Sequence, residues 1–236
     1  MNRFYGDTPH ILRGGQVDRR SIFGPCNLDA ILQVPVTIPP GFGWIPAGTV
    51  MGKVSAEATN TRAGQYVPYT PQDAAGGLAA ALDTLFGAAY LLADPSGTAT
   101  TLEVTMEDSY KFVVGDHVAV LDSNTAAIDC ANITQIDRTT YKDKAVLTIA
   151  QVDLSACDSA NGACVVHQTD TSSPYQTAVG ILVGGVETGV GADAKGGQGV
   201  IVFSNAILNV GALYNLDSGA ITDLGAVQSG NWLILK

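Results

Sequence analysis

Between residues 98 and 169 apolar and polar side chains alternate again and again, and that period of two restricts the segment to half-buried strands. Leu102, Val104 and Met106 alternate with Thr101, Glu103, Thr105 and Glu107, and Tyr110, Phe112 and Val114 form a second set running into Gly115-Asp116. Val118 and Val120 begin a third strand that turns at Asp122-Ser123-Asn124; Ile133 and Ile136 lie in a fourth, residues 145–150 read as a fifth and 164–167 as a sixth. Strands at roughly ten-residue spacing, separated by turn residues, predict a small β-barrel or β-sandwich inserted as its own domain. The segment from 98 to 170 carries eleven acidic residues against Lys111, Arg138, Lys142 and Lys144, so an acidic, outward-facing surface is expected.

The flanking sequence is β-like but richer in glycine. In residues 45–54, Val50 and Val54 surround Gly48 and Gly52, and Pro46 pushes Ile45 toward an extended conformation, which predicts a short strand entered through a tight turn. A polar loop through Lys53, Ser55, Glu57, Thr59, Asn60, Thr61 and Arg62 then leads to Tyr66, Pro68 and Tyr69, the second arm of a hairpin. Strands are expected at 177–183 and 199–203, with Gly184 to Gly199 a flexible loop between them, and Trp232–Leu235 as a terminal strand. Leu78, Leu82, Leu85 and Phe86 have helical spacing, so a short helix is expected over 78–86, ended by Gly87 and followed by a buried strand at 88–92. Hydrophobic content of 46% excludes a disordered chain, and 14% charge with 27 glycines favours a mainly β protein with many turns.

Residues 1–43 lack sustained periodicity and are punctuated by Gly14-Gly15, Gly24-Pro25, Pro35 and Pro39-Pro40-Gly41, the pattern of an extended arm ordered by contact, within which Leu28–Val34 and Val36–Ile38 read as short strands. Phe42 and Trp44, beside that turn, are expected to plug one end of the core, the alternative being a subunit contact, where Trp is enriched. The net charge is −10, yet residues 1–20 place Arg3, Arg13, Arg19 and Arg20 against only Asp7 and Asp18. An acidic body repels nucleic acid, so the basic arm is expected to lie on a protein surface. Its apolar residues Phe4, Tyr5, Ile11, Leu12, Ile22 and Phe23 would supply the contact area and the four arginines would meet carboxylates. The start of the chain lacks the layout of a signal peptide, and no apolar run reaches the ~18 residues of a membrane span.

Chemistry-bearing motifs are sparse. His10, His117 and His167 read as surface or turn histidines, since no Gly-x-Ser-x-Gly turn holds a nucleophile. Gly189-Val190-Gly191 lacks the third glycine and the following helix of a dinucleotide loop. Asp116 and Asp122 sit at turns, where a carboxylate accepts from its local backbone. Cys26, Cys130, Cys157 and Cys164 show no zinc-ligand spacing. Cys157 and Cys164 flank a turn-rich loop and could form an optional disulfide, and Cys26 could pair between chains. No enzyme activity, metal or cofactor is expected.

The ordered set AGTVMGKV (47–54), GQYVPYTP (64–71), TAVGILVGGVETG (177–189) and GVIVFSNAILNVGAL (199–213) resembles the head-decoration, or capsid cement, proteins of lambda-like tailed bacteriophages. The likeness covers residues 44–70 and 175–236. It implies a small β-rich decoration-type domain, discontinuous over 44–97 and 170–236, preceded by the arm 1–43 and interrupted by the inserted domain 98–169. It further implies a homotrimer at three-fold positions on the capsid exterior, bound to the major capsid protein, made in the host cytoplasm and carried on the virion. The alternative is a β-rich adhesin or carbohydrate-binding module with 98–169 as its ligand-binding part. A clamp needs the arm and an adhesin does not.

Overall fold

The computed structural model describes residues 22–23, 31–55, 61–73, 77–79, 86–170, 176–204, 206–227 and 233–235. Their architecture is mainly β. The central sheet joins two distant stretches of chain. Its strands are β1 (Leu32–Ile38), β3 (Val50–Lys53), β4 (Tyr66–Pro68), β12 (Ala178–Leu182) and β14 (Gly197–Ser204), in the order β1-β14-β12-β3-β4, all neighbours antiparallel. The outer strands β1 and β4 touch, so the sheet curls on itself.

Adjacent residues of this sheet enter different cores. Val50, Ile181 and Val202 join one that includes Ala220 and Leu224, while Met51, Leu182 and Ile201 join another with Ile38, Phe42 and Ile45. Where a strand is buried on both faces it reads as an apolar run instead of alternation, as at Ile201-Val202 and Ile181-Leu182. The first core is covered by helix α2 (Ser218–Val227) and by β15 (Ala206–Leu208), which pairs in parallel with β16 (Leu233–Leu235). Asp217 pins that helix. One carboxylate oxygen accepts from the N–H of Ala220 at 2.6 Å, and the other from the N–H of Gln72 at 2.5 Å and the Tyr69 hydroxyl at 3.0 Å. Burial and the nearby Asp217 charge raise the Tyr69 pKa, so the phenol remains a donor.

Residues 89–167 build two further sheets around one shared core. Strands β6 (Ala99–Thr105), β10 (Lys144–Val152) and β9 (Gln135–Asp137) form the first, in the order β6-β10-β9. Strands β5 (Ala89–Tyr90), β11 (Cys164–His167), β7 (His117–Asp122) and β8 (Thr125–Asn132) form the second, in the order β5-β11-β7-β8. The Leu91–Val104 bridge links them, and Leu102, Val104, Leu147, Phe112, Val118, Val120 and Val165 meet in the core.

Several elements differ from expectation. Leu32–Ile38 is one continuous strand where 28–34 and Val36–Ile38 read as short strands of an arm, and it belongs to the central sheet of the body, so the arm does not extend past residue 31. Tyr110, Phe112 and Val114 are not a strand. They follow the one-turn helix α1 (Met106–Ser109), capped by Thr105, in turns stabilised by the Val113 N–H donating to Asp116 Oδ2 at 2.8 Å. The loop after β12 is structured: β13 (Val186–Glu187) pairs with β2 (Trp44–Ile45). Phe42 is buried, as expected; Trp44 is half-buried with its indole N–H inside the fold. Most of the helix expected at 78–86 lies outside the described residues, and Leu78 forms a bridge with Gln72.

Two substitutions test this arrangement. Asp217→Ala removes the helix cap and three hydrogen bonds at once and should cost roughly 1–3 kcal/mol, read as a lowered thermal midpoint. At Gly48, φ is +90° and an added Cβ would overlap the Ala212 carbonyl oxygen, so Gly48→Ala should destabilise by about 1–3 kcal/mol in urea.

Candidate functional site

The residues expected to contact a partner divide sharply. Arg3, Phe4, Tyr5, Ile11, Leu12, Arg13, Arg19, Arg20 and Cys26 lie outside the described residues. Ile22 and Phe23 do not face a partner. Ile22 is fully buried and Phe23 nearly so, in the core beneath α2. The Ile22 carbonyl accepts from Asn209 N–H at 2.7 Å and Phe23 bridges Leu208, so both are structural residues of the body. Two branched or aromatic side chains at the end of a polar segment give no sequence signal that separates docking on one's own core from docking on another protein.

The other concentration of ionisable groups is buried, where the turn after β3 meets the segment between α1 and β7. Arg62, Lys111, Asp116 and His167 converge there, with Asp116 and His167 wholly inaccessible. Arg62 Nε lies 3.6 Å from Asp116 Oδ2, and an Arg62 terminal N–H donates to the Lys111 carbonyl. Lys111 Nζ donates to the Ala88 carbonyl at 2.6 Å and pairs with Asp108 at 2.7 Å. Burial lowers the Arg62 pKa, an effect that Asp116 opposes. Backbone bonds run alongside: Thr61 N–H to the Gly115 carbonyl at 3.3 Å, Ser55 N–H to Gln168 at 3.1 Å and Gln168 N–H to His117 at 3.0 Å. The Gln176 side chain completes the joint, accepting from Thr70 N–H at 2.5 Å and donating to the His167 carbonyl at 2.8 Å.

His167 sits between Phe112 and Phe42, ring centroids 4.8 and 6.0 Å away. Its Nε2 is 2.9 Å from the Lys111 carbonyl oxygen, which can only accept, so Nε2 carries the proton and Nδ1 is bare in the neutral ring. Burial pushes the His167 pKa down, partly offset by Asp116. His117 is also buried, with Nε2 2.7 Å from Asp129. Neither histidine is the surface residue that its turn neighbours suggest: both lie buried on β7 and β11, neighbouring antiparallel strands of one sheet.

The optional Cys157–Cys164 bridge is not formed; both thiols are free and buried, as is Cys130. Cys164 points into the cluster with Leu121 and Val166, whereas Cys157 joins Cys130 and Val165 in the core on the other side of β11. Burial raises Cys130 and Cys164 to about 12 and Cys157 to about 11, which keeps all three as unreactive thiols. Asp116 and Asp122 do hold local backbone, through Val113 and Asn124. A surface depression of about 220 Å³ beside β6 is lined by Leu91, Asp94, Ser96, Thr101 and Glu103. No group of metal-ligating side chains is found among the described residues, and no helix there is long and apolar enough to cross a membrane.

Comparison of the chain with protein-family models, curated proteins and solved structures finds no match. The buried joint therefore stands on its own chemistry. Breaking a buried ion pair from one side leaves the other charge uncompensated, which costs about 3–5 kcal/mol. Arg62→Ala should show a loss of that size in urea unfolding, and in Arg62→Ala/Asp116→Asn the two costs should not add. Excising residues 89–167 while retaining Arg62 should likewise yield an insoluble or unfolded chain, checked by circular dichroism.

Proposed function

We propose that the protein is a structural virion component that binds the outer surface of a phage capsid through its N-terminal segment, as a trimer at three-fold positions, and stabilises the expanded head. The observation that carries this reading is the division of labour along the chain. In the body, the buried ionisable side chains of Arg62, Lys111 and Asp116 and the half-buried Asp217 hold the protein's own backbone. The basic, aromatic-bearing residues 1–20 precede that body and differ from it in charge. Exposed ion pairs contribute roughly 0–1 kcal/mol each, so burial of Phe4, Tyr5, Ile11 and Leu12 on the partner is what would dominate affinity.

The depression beside β6 favours the second reading, a carbohydrate-binding module, but it is smaller than the ~300–1,000 Å³ typical of ligand pockets. Co-sedimentation with expanded capsids separates the two. A chain lacking residues 1–20, with Ile22 and Phe23 retained so that the body folds, should lose capsid binding. Replacing the four arginines alone should weaken it modestly. Full-strength attachment by the folded truncation, or a strictly monomeric protein that occupies no three-fold site, would overturn the proposal.

A further inference from the structure

Two acceptors face each other inside the joint. Asp116 Oδ1 and His167 Nδ1 have no hydrogen-bond partner among the described residues, and both side chains are without solvent exposure. His167 Nδ1 is 3.8 Å from Asp116 Oδ2, beyond the reach of a direct hydrogen bond. That oxygen is already engaged: it accepts from Val113 N–H at 2.8 Å and lies 3.6 Å from Arg62 Nε. On the other side of the ring, Nε2 is 2.9 Å from the Lys111 carbonyl and carries the proton, which leaves a lone pair on Nδ1. Burial disfavours the charged ring, so that lone pair stays bare.

A lone pair and a carboxylate oxygen cannot satisfy one another, but a small donor with two hydrogens satisfies both. We propose that the joint binds one internal water molecule, which donates one O–H to His167 Nδ1 and the other to Asp116 Oδ1. Polar groups held just beyond hydrogen-bond distance are where bridging waters sit, and two or more polar partners suffice to hold one inside a protein. Ser55 Oγ, on the β3 side of the same joint, is a further buried atom without a partner among the described residues, so the seam is polar beyond the ring itself.

Charge selects water over a cation. Asp116 already faces Arg62, and Lys111 is held by Asp108 at 2.7 Å and by the Ala88 carbonyl at 2.6 Å. An ammonium or metal ion would bring a further charge into a site with no solvent exposure, whereas water brings none. The Phe42 and Phe112 rings, with centroids 6.0 and 4.8 Å from that of His167, offer no competing donor. The bound molecule fixes the imidazole from its second nitrogen. His167, at the end of β11, is then tied to the Lys111 carbonyl through Nε2 and to the 113–116 turn through the water, with no proton transferred and no ionic bond to the ring required.

A crystal structure of the whole chain tests the site directly: one solvent peak should stand within hydrogen-bond distance of both His167 Nδ1 and Asp116 Oδ1. In solution, ¹⁵N spectra of the native protein should show His167 as the Nε2–H tautomer, with Nδ1 unprotonated and accepting a hydrogen bond. Water-selective Overhauser spectra should give a cross-peak between solvent and the His167 ring proton beside Nδ1. None of these readings needs a variant, so a substitution that fails to fold cannot obscure them. An Nδ1 that carries the proton and reaches Asp116 directly would overturn the proposal. So would a bare Nδ1 with neither solvent peak nor cross-peak, or a peak with the short contacts of a metal ion.

Discussion

A guanidinium and a carboxylate, both out of water, fix how the two halves of this protein meet. Arg62 and Asp116 are 5% and 0% exposed in their side chains, and each would be prohibitively costly to bury alone. The pair is embedded in hydrogen bonds that leave little freedom: Arg62 to the Lys111 carbonyl, Asp116 to Val113, Lys111 to the Ala88 carbonyl, Gln176 to both Thr70 and His167. These contacts tie the turn after β3 to residues 111–116 and the return into β12 to His167. Apolar residues of similar volume could fill such a space with equal or better stability. What charges add is direction, since only one placement of the turn lets the guanidinium reach both the carboxylate and the carbonyl.

The elements legible in the sequence are those in which one physical effect dominates. Strands β6 and β10 show clean alternation because each has one face on the core and one toward solvent: Leu102 and Val104 face Leu147 and Ala145, while Glu103 pairs outside with Lys144. The hairpin of β3 and β4 was legible from its glycines and proline. Tyr110, Phe112 and Val114 misled because alternation alone cannot see a side chain that captures backbone. Asp116 takes the Val113 N–H, and Arg138 takes the carbonyls of Ser109 and Phe112 while stacking on Tyr110, so local bonds replace a ladder. Strand β8, Thr125–Asn132, is rich in alanine and carries no strong period. Helix α2 was missed because only Ala220 and Leu224 carry its buried face, and its other holds, Asp217 and Asp223 accepting the Ala178 N–H, are not periodic signals.

The joint itself was illegible. Arg62 stands in a polar loop, Asp116 at a turn and His167 at a strand end, and each position has an ordinary local explanation. Only the pairing of β7 with β11, which lays His167 against Val118, and the Thr61–Gly115 hydrogen bond bring them together across fifty or more residues. Long-range convergence of this kind leaves no spacing rule, unlike a metal-ligand pair or a phosphate loop, whose members are held by one local turn.

Burial of Ile22 and Phe23 also changes what residues 1–20 can do. Their covalent attachment to the body is not at β1 but beside β15, where Phe23 bridges Leu208 and Asn209 holds the Ile22 carbonyl. On the proposed reading, a partner engaged by Phe4 through Arg20 would be tethered near the α2 side of the central sheet. The linkage makes any contact between that partner and the body intramolecular once the first residues bind, so weak contacts gain from effective concentration and not from area alone. If the arginines of that segment are individually weak anchors, as the proposed function requires, a fixed exit point is what would convert a handful of aromatic and aliphatic contacts into a defined orientation of the whole protein on its partner.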